Sequence, residues 1–110
     1  MEASPQLQQS FATAGRPCYR AVLVGAGAMG KRHLTAVQTS THARLSAIYD
    51  PRPASDLGLD PYHAARHVRT RDEFRRSLEG ADFAVIAADT SHHLTVTLDA
   101  LGAGVPCLLE

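Results

Sequence analysis

The stretch VLVGAGAMGKRHL, Val22 to Leu34, decides how the rest of the chain is read. A short apolar run, Arg20 to Val24 (RAVLV), ends at Gly25, and Gly25, Gly27 and Gly30 stand in a G-x-G-x-x-G pattern. A short apolar run closed by glycine suits a strand buried on both faces of a parallel sheet. From about Ala28 to Gln38 the spacing turns helical, with Gly30, His33, Leu34 and Val37 at i, i+3, i+4 and i+7. Between a strand and a helix, each glycine has its own task. Gly25 permits the tight turn, Gly27 lets a pyrophosphate reach the backbone, and Gly30 lets the helix lie close to the sheet. Ala28 and Met29 open the helix, where unpaired N–H groups and the helix dipole favour an anion. A glycine turn with no ligand fits the same pattern, so the surroundings must decide.

The first test is a carboxylate at the end of the second strand. Ala43 to Tyr49 (ARLSAIY) reads as that strand, and Asp50 follows it, about 20 residues beyond Gly30, where the fingerprint expects an acid for the ribose hydroxyls. An Asp before Pro51 is also a common turn residue. Set beside the glycine turn, Asp50 supports a dinucleotide site and favours NAD, because a carboxylate repels the additional phosphate of NADP. Arg52 points the other way, since a guanidinium two residues on can accommodate that phosphate. NAD is therefore the expected cofactor, with NADP left open. A mononucleotide loop requires G-K-[ST], and Gly30-Lys31-Arg32 offers no hydroxyl. The usual methyltransferase acid ahead of the first glycine is replaced by Val24.

Downstream, strand-like and helix-like segments alternate. Arg52 to Ala65, with Pro53, Gly58 and Pro61, is expected to be a loop with one irregular helical turn. His67 to Arg69 reads as a short third strand. Thr70 and Glu73 form a T-x-x-E capping box, with Phe74 and Leu78 as the buried side of a helix that stops at Gly80. Ala81 to Ala88 (ADFAVIAA) is the fourth strand. Ser91 is the expected N-cap of the next helix, whose register is carried by Leu94, Leu98 and Leu101. Val105 to Leu109 (VPCLL) reads as another buried strand. Parallel strands joined by right-handed helical crossovers give an α/β, Rossmann-type, doubly wound sheet. The sheet is expected to be truncated after about its fifth strand.

Composition narrows the function classes. The chain has 110 residues, 45% of them hydrophobic and 20% charged, so it holds one domain. Residues 1–18 are expected to form a polar arm and 19–110 the nucleotide-binding domain. Eleven Lys and Arg balance eleven Asp and Glu, which gives no field for nucleic acid or an anionic membrane. No apolar run approaches the roughly 20 residues of a membrane span, and the start does not read as a signal peptide. A cytoplasmic location is expected. Cys18 and Cys107 read as free thiols, and His42, His63 and His67 as surface histidines, so no metal site is expected.

A second stretch, AVIAADTSHHLTVTLDALGAGVPCLLE (Ala84 to Glu110), adds a resemblance. Together with VGAGAMGKRH it resembles the Gfo/Idh/MocA family, the oxidoreductases related to glucose–fructose oxidoreductase and inositol dehydrogenase. The family's G-x-G-x-x-G-x-x-H is matched by Gly25, Gly27, Gly30 and His33. Its T-P-N-x-x-H is similar to Ala88, Asp89, Thr90 and His93, with Asp89 in the place of proline. Its A-L-x-A-G and the glutamate of E-K-P are matched by Ala100, Leu101, Ala103, Gly104 and Glu110. The resemblance implies an NAD(P)-dependent oxidoreductase acting by hydride transfer on a CH–OH group of a sugar, cyclitol or similar substrate. It implies that Ala88, Asp89, Thr90 and His93 lie near the nicotinamide and that Glu110 approaches the nicotinamide ribose. For His33 a packing or hydrogen-bonding role is expected. No catalytic residue is assigned within the chain: the family's lysine would follow Glu110, and its substrate residues belong to a C-terminal domain. The 110 residues alone are expected to bind cofactor without turnover, the substrate being engaged only in a full-length parent, and homo-oligomers stay open. The alternative is a non-catalytic dinucleotide-binding or interaction module.

Overall fold

The structure, a computed structural model, describes residues 18–59 and 66–110. Residues 1–17 of the expected arm, and His63, lie outside the described residues. The centre of the molecule is strand β1, Tyr19–Val24. Its last four residues are fully buried, with Val22 and Val24 packed on one face of the sheet and Ala21 and Leu23 on the other. This is why the run is apolar without alternation. Around β1 lie β2 (Ala43–Tyr49), β3 (Arg66–Val68), β4 (Phe83–Ile86) and β5 (Cys107–Leu109), all parallel, in the order β3-β2-β1-β4-β5. The expected Rossmann-type sheet is the observed one.

One register shift is built into the central pair. Ala21 opposes Leu45 and Val22 opposes Ala47, so Ser46 is the additional residue. The Ser46 hydroxyl donates to the Ala21 carbonyl at 3.3 Å. The bulge lets Leu45 and Ala47, two residues apart, face opposite sides of the sheet as Ala21 and Val22 do.

Helix α1 (Ala28–Thr39) and the single turn α2 (Ala54–Leu57) cover one face, where Leu34, Val37 and Leu57 join Ala21, Leu23, Ile48 and Val85. Helices α3 (Arg71–Ser77) and α4 (Thr90–Gly102) cover the other, where Phe74, Leu78, Val96 and Ala100 close over Val22, Val24, Ala84 and Ile86. The Phe74 ring stacks on Tyr49 of β2 with centroids 4.7 Å apart. α3 begins with the expected capping box: Thr70 Oγ1 accepts from the Glu73 amide, and the Glu73 carboxylate accepts from the Thr70 amide. A bidentate Arg71–Asp99 pair, at 2.8 and 2.9 Å, ties α3 to α4.

Several expectations are corrected. β3 spans Arg66–Val68, one residue earlier than expected, and β4 is shorter, Phe83–Ile86. The N-cap of α4 is Asp89, not Ser91: its carboxylate accepts from the Ser91 amide at 3.1 Å. Asp89 reaches two residues into the first turn, which Ser91, already inside the helix, cannot do. On α4 the buried residues are Val96 and Ala100, whereas Leu94, Leu98 and Leu101 are 70%, 58% and 54% exposed. Asp99 faces α3 through Arg71, and the three leucines turn away from the sheet to solvent. β5 is likewise not buried. Leu108 and Leu109 are 56% and 53% exposed because β5 is the edge of the described sheet.

Candidate functional site

The carboxyl ends of β1, β2, β4 and β5 lie side by side, and backbone hydrogen bonds carry the ladder one residue past each strand. The Gly25 amide donates to Tyr49 O at 2.8 Å, Ala87 N to Val24 O at 2.8 Å, and Glu110 N to Ile86 O at 3.1 Å. These bonds bring the two distant motifs to one rim. Sheet order reverses between β1 and β4, the usual place for a ligand in an open α/β sheet.

The three glycines are glycine for different reasons. Gly25 has φ +90°, and a Cβ there would stand 2.8 Å from the Ala87 carbonyl oxygen and the Ala88 amide. A Cβ on Gly30 would stand 2.0 Å from the Gly25 carbonyl oxygen, so its absence seats α1 on the turn. Gly27 differs. Its φ of −74° is ordinary, and the nearest neighbour of a Cβ would be Arg52 Nη2, 3.9 Å away. Packing within the described residues gives no reason for glycine there. What its bare Cα leaves is open space at the start of α1.

That start is a cradle for an anion. Gly27 is the N-cap, and among the described residues no side chain caps it and no acid occupies the first turn. Ala28 and Met29, both exposed, begin the helix with N–H groups that have no intrahelical partner. These residues fit a pyrophosphate in chemistry and in space.

Asp50 anchors the next part of the rim. It is 3% exposed, and its carboxylate is held by four donors. Oδ2 accepts from the Ala26 amide at 3.0 Å and Arg52 Nη2 at 2.8 Å; Oδ1 accepts from the Arg52 amide and Nε, each at 3.0 Å. Burial opposes the charge, but the Arg52 fork and the two backbone amides outweigh it and bring the carboxyl down to about 2. Asp50 thus links the end of β2 to the glycine turn. Its own carbonyl accepts from His67 Nε2 at 2.9 Å. His67 is half-buried, which corrects the expectation of a surface histidine, whereas His42 is exposed as expected.

On the other side of β1, Ala88 is half-buried against the core and Asp89 is exposed. The φ of Asp89 is −64°, the value proline would impose, so replacing proline leaves the backbone path intact. Its carboxylate bonds the Ser91 amide and hydroxyl, the latter at 2.6 Å; the Ser91 hydroxyl contact is the first cause holding it below the usual carboxylate range. Thr90 starts α4, and His93 stands half-buried in its first turn. Glu110 follows β5, and its Oε1 lies 2.7 Å from His33 Nε2 of α1. The expected hydrogen-bonding role of His33 is observed, with a partner that spacing did not identify.

The rim therefore gathers Gly25, Gly27, Ala28, Met29, Gly30, Asp50, Arg52, Ala88, Asp89, Thr90, His93 and Glu110 along the ends of four strands. What sequence reasoning missed is the coupling between them: the Arg52 fork on Asp50, the Ala26 amide on Asp50, and His33 on Glu110. An arginine two residues after the acid was the available sign of the first. Cys18 and Cys107 are both free thiols. Among the described residues no helix is long and apolar enough to cross a membrane.

Comparison with known proteins agrees with this geometry. A family profile described as "Oxidoreductase family, NAD-binding Rossmann fold" (GFO_IDH_MocA) matches residues 19–110. The chain is 34% identical over 92 residues to an inositol 2-dehydrogenase of Corynebacterium glutamicum, covering 83% of this chain and 27% of that protein. It is 32% identical over 94 residues to the rhizopine catabolism protein MocA of Rhizobium meliloti, covering 84% and 28%. The crystal structure of a myo-inositol dehydrogenase from Corynebacterium glutamicum superposes with a TM-score of 0.72 at 29% identity, over 84% of this chain and 27% of that one. The chain spans little more than a quarter of the length of these relatives. The chain belongs to the Gfo/Idh/MocA oxidoreductase family and carries its NAD-binding Rossmann fold.

Proposed function

We propose that this chain is the cofactor-holding part of an NAD(P)-dependent oxidoreductase acting on a hydroxyl or keto carbon of a sugar, cyclitol or similar small molecule. The observation that carries the reading is Gly27, whose bare Cα opens onto an uncapped helix start and answers to no packing need among the described residues. In this reading the pyrophosphate lies on the N–H groups at Gly27, Ala28, Met29 and Gly30. The adenosine ribose lies beside Asp50 and Arg52. Ala88, Asp89, Thr90, His93 and Glu110 border the nicotinamide half. NAD, when bound, supplies a ring carbon that accepts or gives up hydride.

The chain's own residues bind and orient. The Asp50–Ala26 bond ties the end of β2 to the glycine turn, and Ala87 and Ala88 lie close against Gly25 on its other side. The relatives' names support a polyol substrate, since two of them are inositol dehydrogenases. Because the chain spans 27% to 28% of its relatives, we assign turnover to a longer protein and cofactor binding to this part.

The test is a titration of NADH into the purified chain, followed by assays on a panel of cyclitols and sugars. The sequence has no Trp, so binding is read from the emission of the reduced nicotinamide itself. Saturable binding without turnover is expected. Turnover by the 110 residues alone would overturn the division of labour, and no binding at millimolar NADH would overturn the cofactor reading.

A further inference from the structure

We infer that Arg52 is a latch over Asp50 that reads the 2′ position of the adenosine ribose, so that the chain discriminates only weakly between NAD and NADP. The inference rests on the cofactor reading above and concerns which dinucleotide that site takes.

A carboxylate has about four lone-pair sites, two on each oxygen. In Asp50 all four are taken. Each oxygen accepts one backbone amide, Arg52 N on Oδ1 and Ala26 N on Oδ2, and each accepts one nitrogen of the Arg52 side chain, Nε on Oδ1 and Nη2 on Oδ2. The backbone donors are fixed by the turn and by the end of β2. The side-chain donors are not: the Arg52 side chain is 56% exposed, while that of Asp50 is 4% exposed. Lifting the guanidinium away therefore frees one acceptor site on each oxygen, the number that a ribose diol requires. While the fork is closed, Asp50 has nothing to offer a hydroxyl.

The latch also has the right position. Arg52 Nη2 is the nearest group to the open face of Gly27, 3.9 Å from where a Cβ would stand. The guanidinium therefore lies between the acid and the helix start, on the path a ribose must take from one to the other. A 2′-hydroxyl can reach Asp50 only after a charge-assisted, bidentate pair is broken, which weakens NAD binding. A 2′-phosphate finds the guanidinium already in place and can take over its outward N–H groups, which offsets the repulsion from Asp50. The same side chain opposes one dinucleotide and supports the other.

The experiment compares NADH and NADPH dissociation constants for the wild-type chain, Arg52→Ala and Arg52→Lys, with thermal melting of each. The wild type is expected to bind the two within about tenfold of each other. Arg52→Ala is expected to lose NADPH affinity and keep or gain NADH affinity, moving the ratio at least about tenfold towards NADH. Arg52→Lys, which retains charge without the fork, is expected to fall between. If Arg52 only braces Asp50, both affinities fall together and the ratio stays put; that result overturns the inference. A lowered melting temperature with a shifted ratio still supports it, because a general loss of structure cannot favour one dinucleotide. Failure of the wild type to bind either one overturns the cofactor reading itself, and the latch with it.

Discussion

His33 Nε2 lies 2.7 Å from Glu110 Oε1, joining the first helix to the end of the last strand across 77 positions of sequence. Both groups keep some contact with solvent, at 21% and 38% exposure, so water screens part of the interaction. A double-mutant cycle with His33→Ala and Glu110→Ala is expected to give a coupling of about 0.5–1 kcal/mol in thermal or urea unfolding. Additive single effects would show that the contact contributes no net stability.

The glycines separate folding from binding. Gly25→Ala and Gly30→Ala place a methyl group within 2.8 Å and 2.0 Å of backbone atoms, so both variants are expected to melt early or fail to fold. Gly27→Ala meets nothing closer than 3.9 Å at an ordinary φ and is expected to melt within a few degrees of wild type. It should nonetheless weaken NADH binding about tenfold or more, because its methyl occupies the ligand's space. Unchanged binding by Gly27→Ala would place the ligand elsewhere.

Acid should destabilise the chain through Asp50. Its ordinary value is 3.8 and its folded value about 2, so the unfolded state takes up the proton first. The carboxylate's contribution is complete above about pH 4 and is lost as pH falls towards 2. Near 1.4 kcal/mol per unit, it amounts to about 2 kcal/mol. Urea midpoints measured between pH 6 and pH 2 should fall accordingly, and Asp50→Asn should flatten that limb. An equal slope in the Asn variant would assign the acid sensitivity to other carboxylates.

The two sides of α4 and its neighbours should respond unequally. Phe74→Ala empties a fully buried site stacked on Tyr49 and is expected to cost about 3–5 kcal/mol. Leu98→Gln, at a residue 58% exposed, should change stability by less than about 0.5 kcal/mol. A large loss from Leu98→Gln would mean that this flank is covered in solution.

These contrasts mark where sequence was sufficient. The glycine turn, the T-x-x-E box at Thr70 and the acid at Asp50 are legible because their geometry is local: a turn, a first helical turn, a strand end. Which side of an amphipathic helix is buried was not. Leu94, Leu98 and Leu101 keep a helical register as well as Val96 and Ala100 do, and only the position of the sheet and of Arg71 on Asp99 selects between them. Asp89 took the cap from Ser91 because the helix starts two residues earlier than the serine suggested. The exposure of Leu108 depends on β5 being an edge, a property of strand order that five apolar letters do not carry. The fork of Arg52 and the His33–Glu110 contact likewise depend on side chains meeting after the sheet has formed.

Whether the glycine turn holds the dinucleotide is read directly from a chemical-shift map of backbone amides in the labelled chain during titration with NADH. Perturbations are expected to concentrate at Gly25 to Gly30, at Asp50 and Arg52, and at Ala88 to Thr90, with β3 and the far end of α4 unmoved. Saturating NADH that leaves the Gly25 to Gly30 amides unshifted would contradict it.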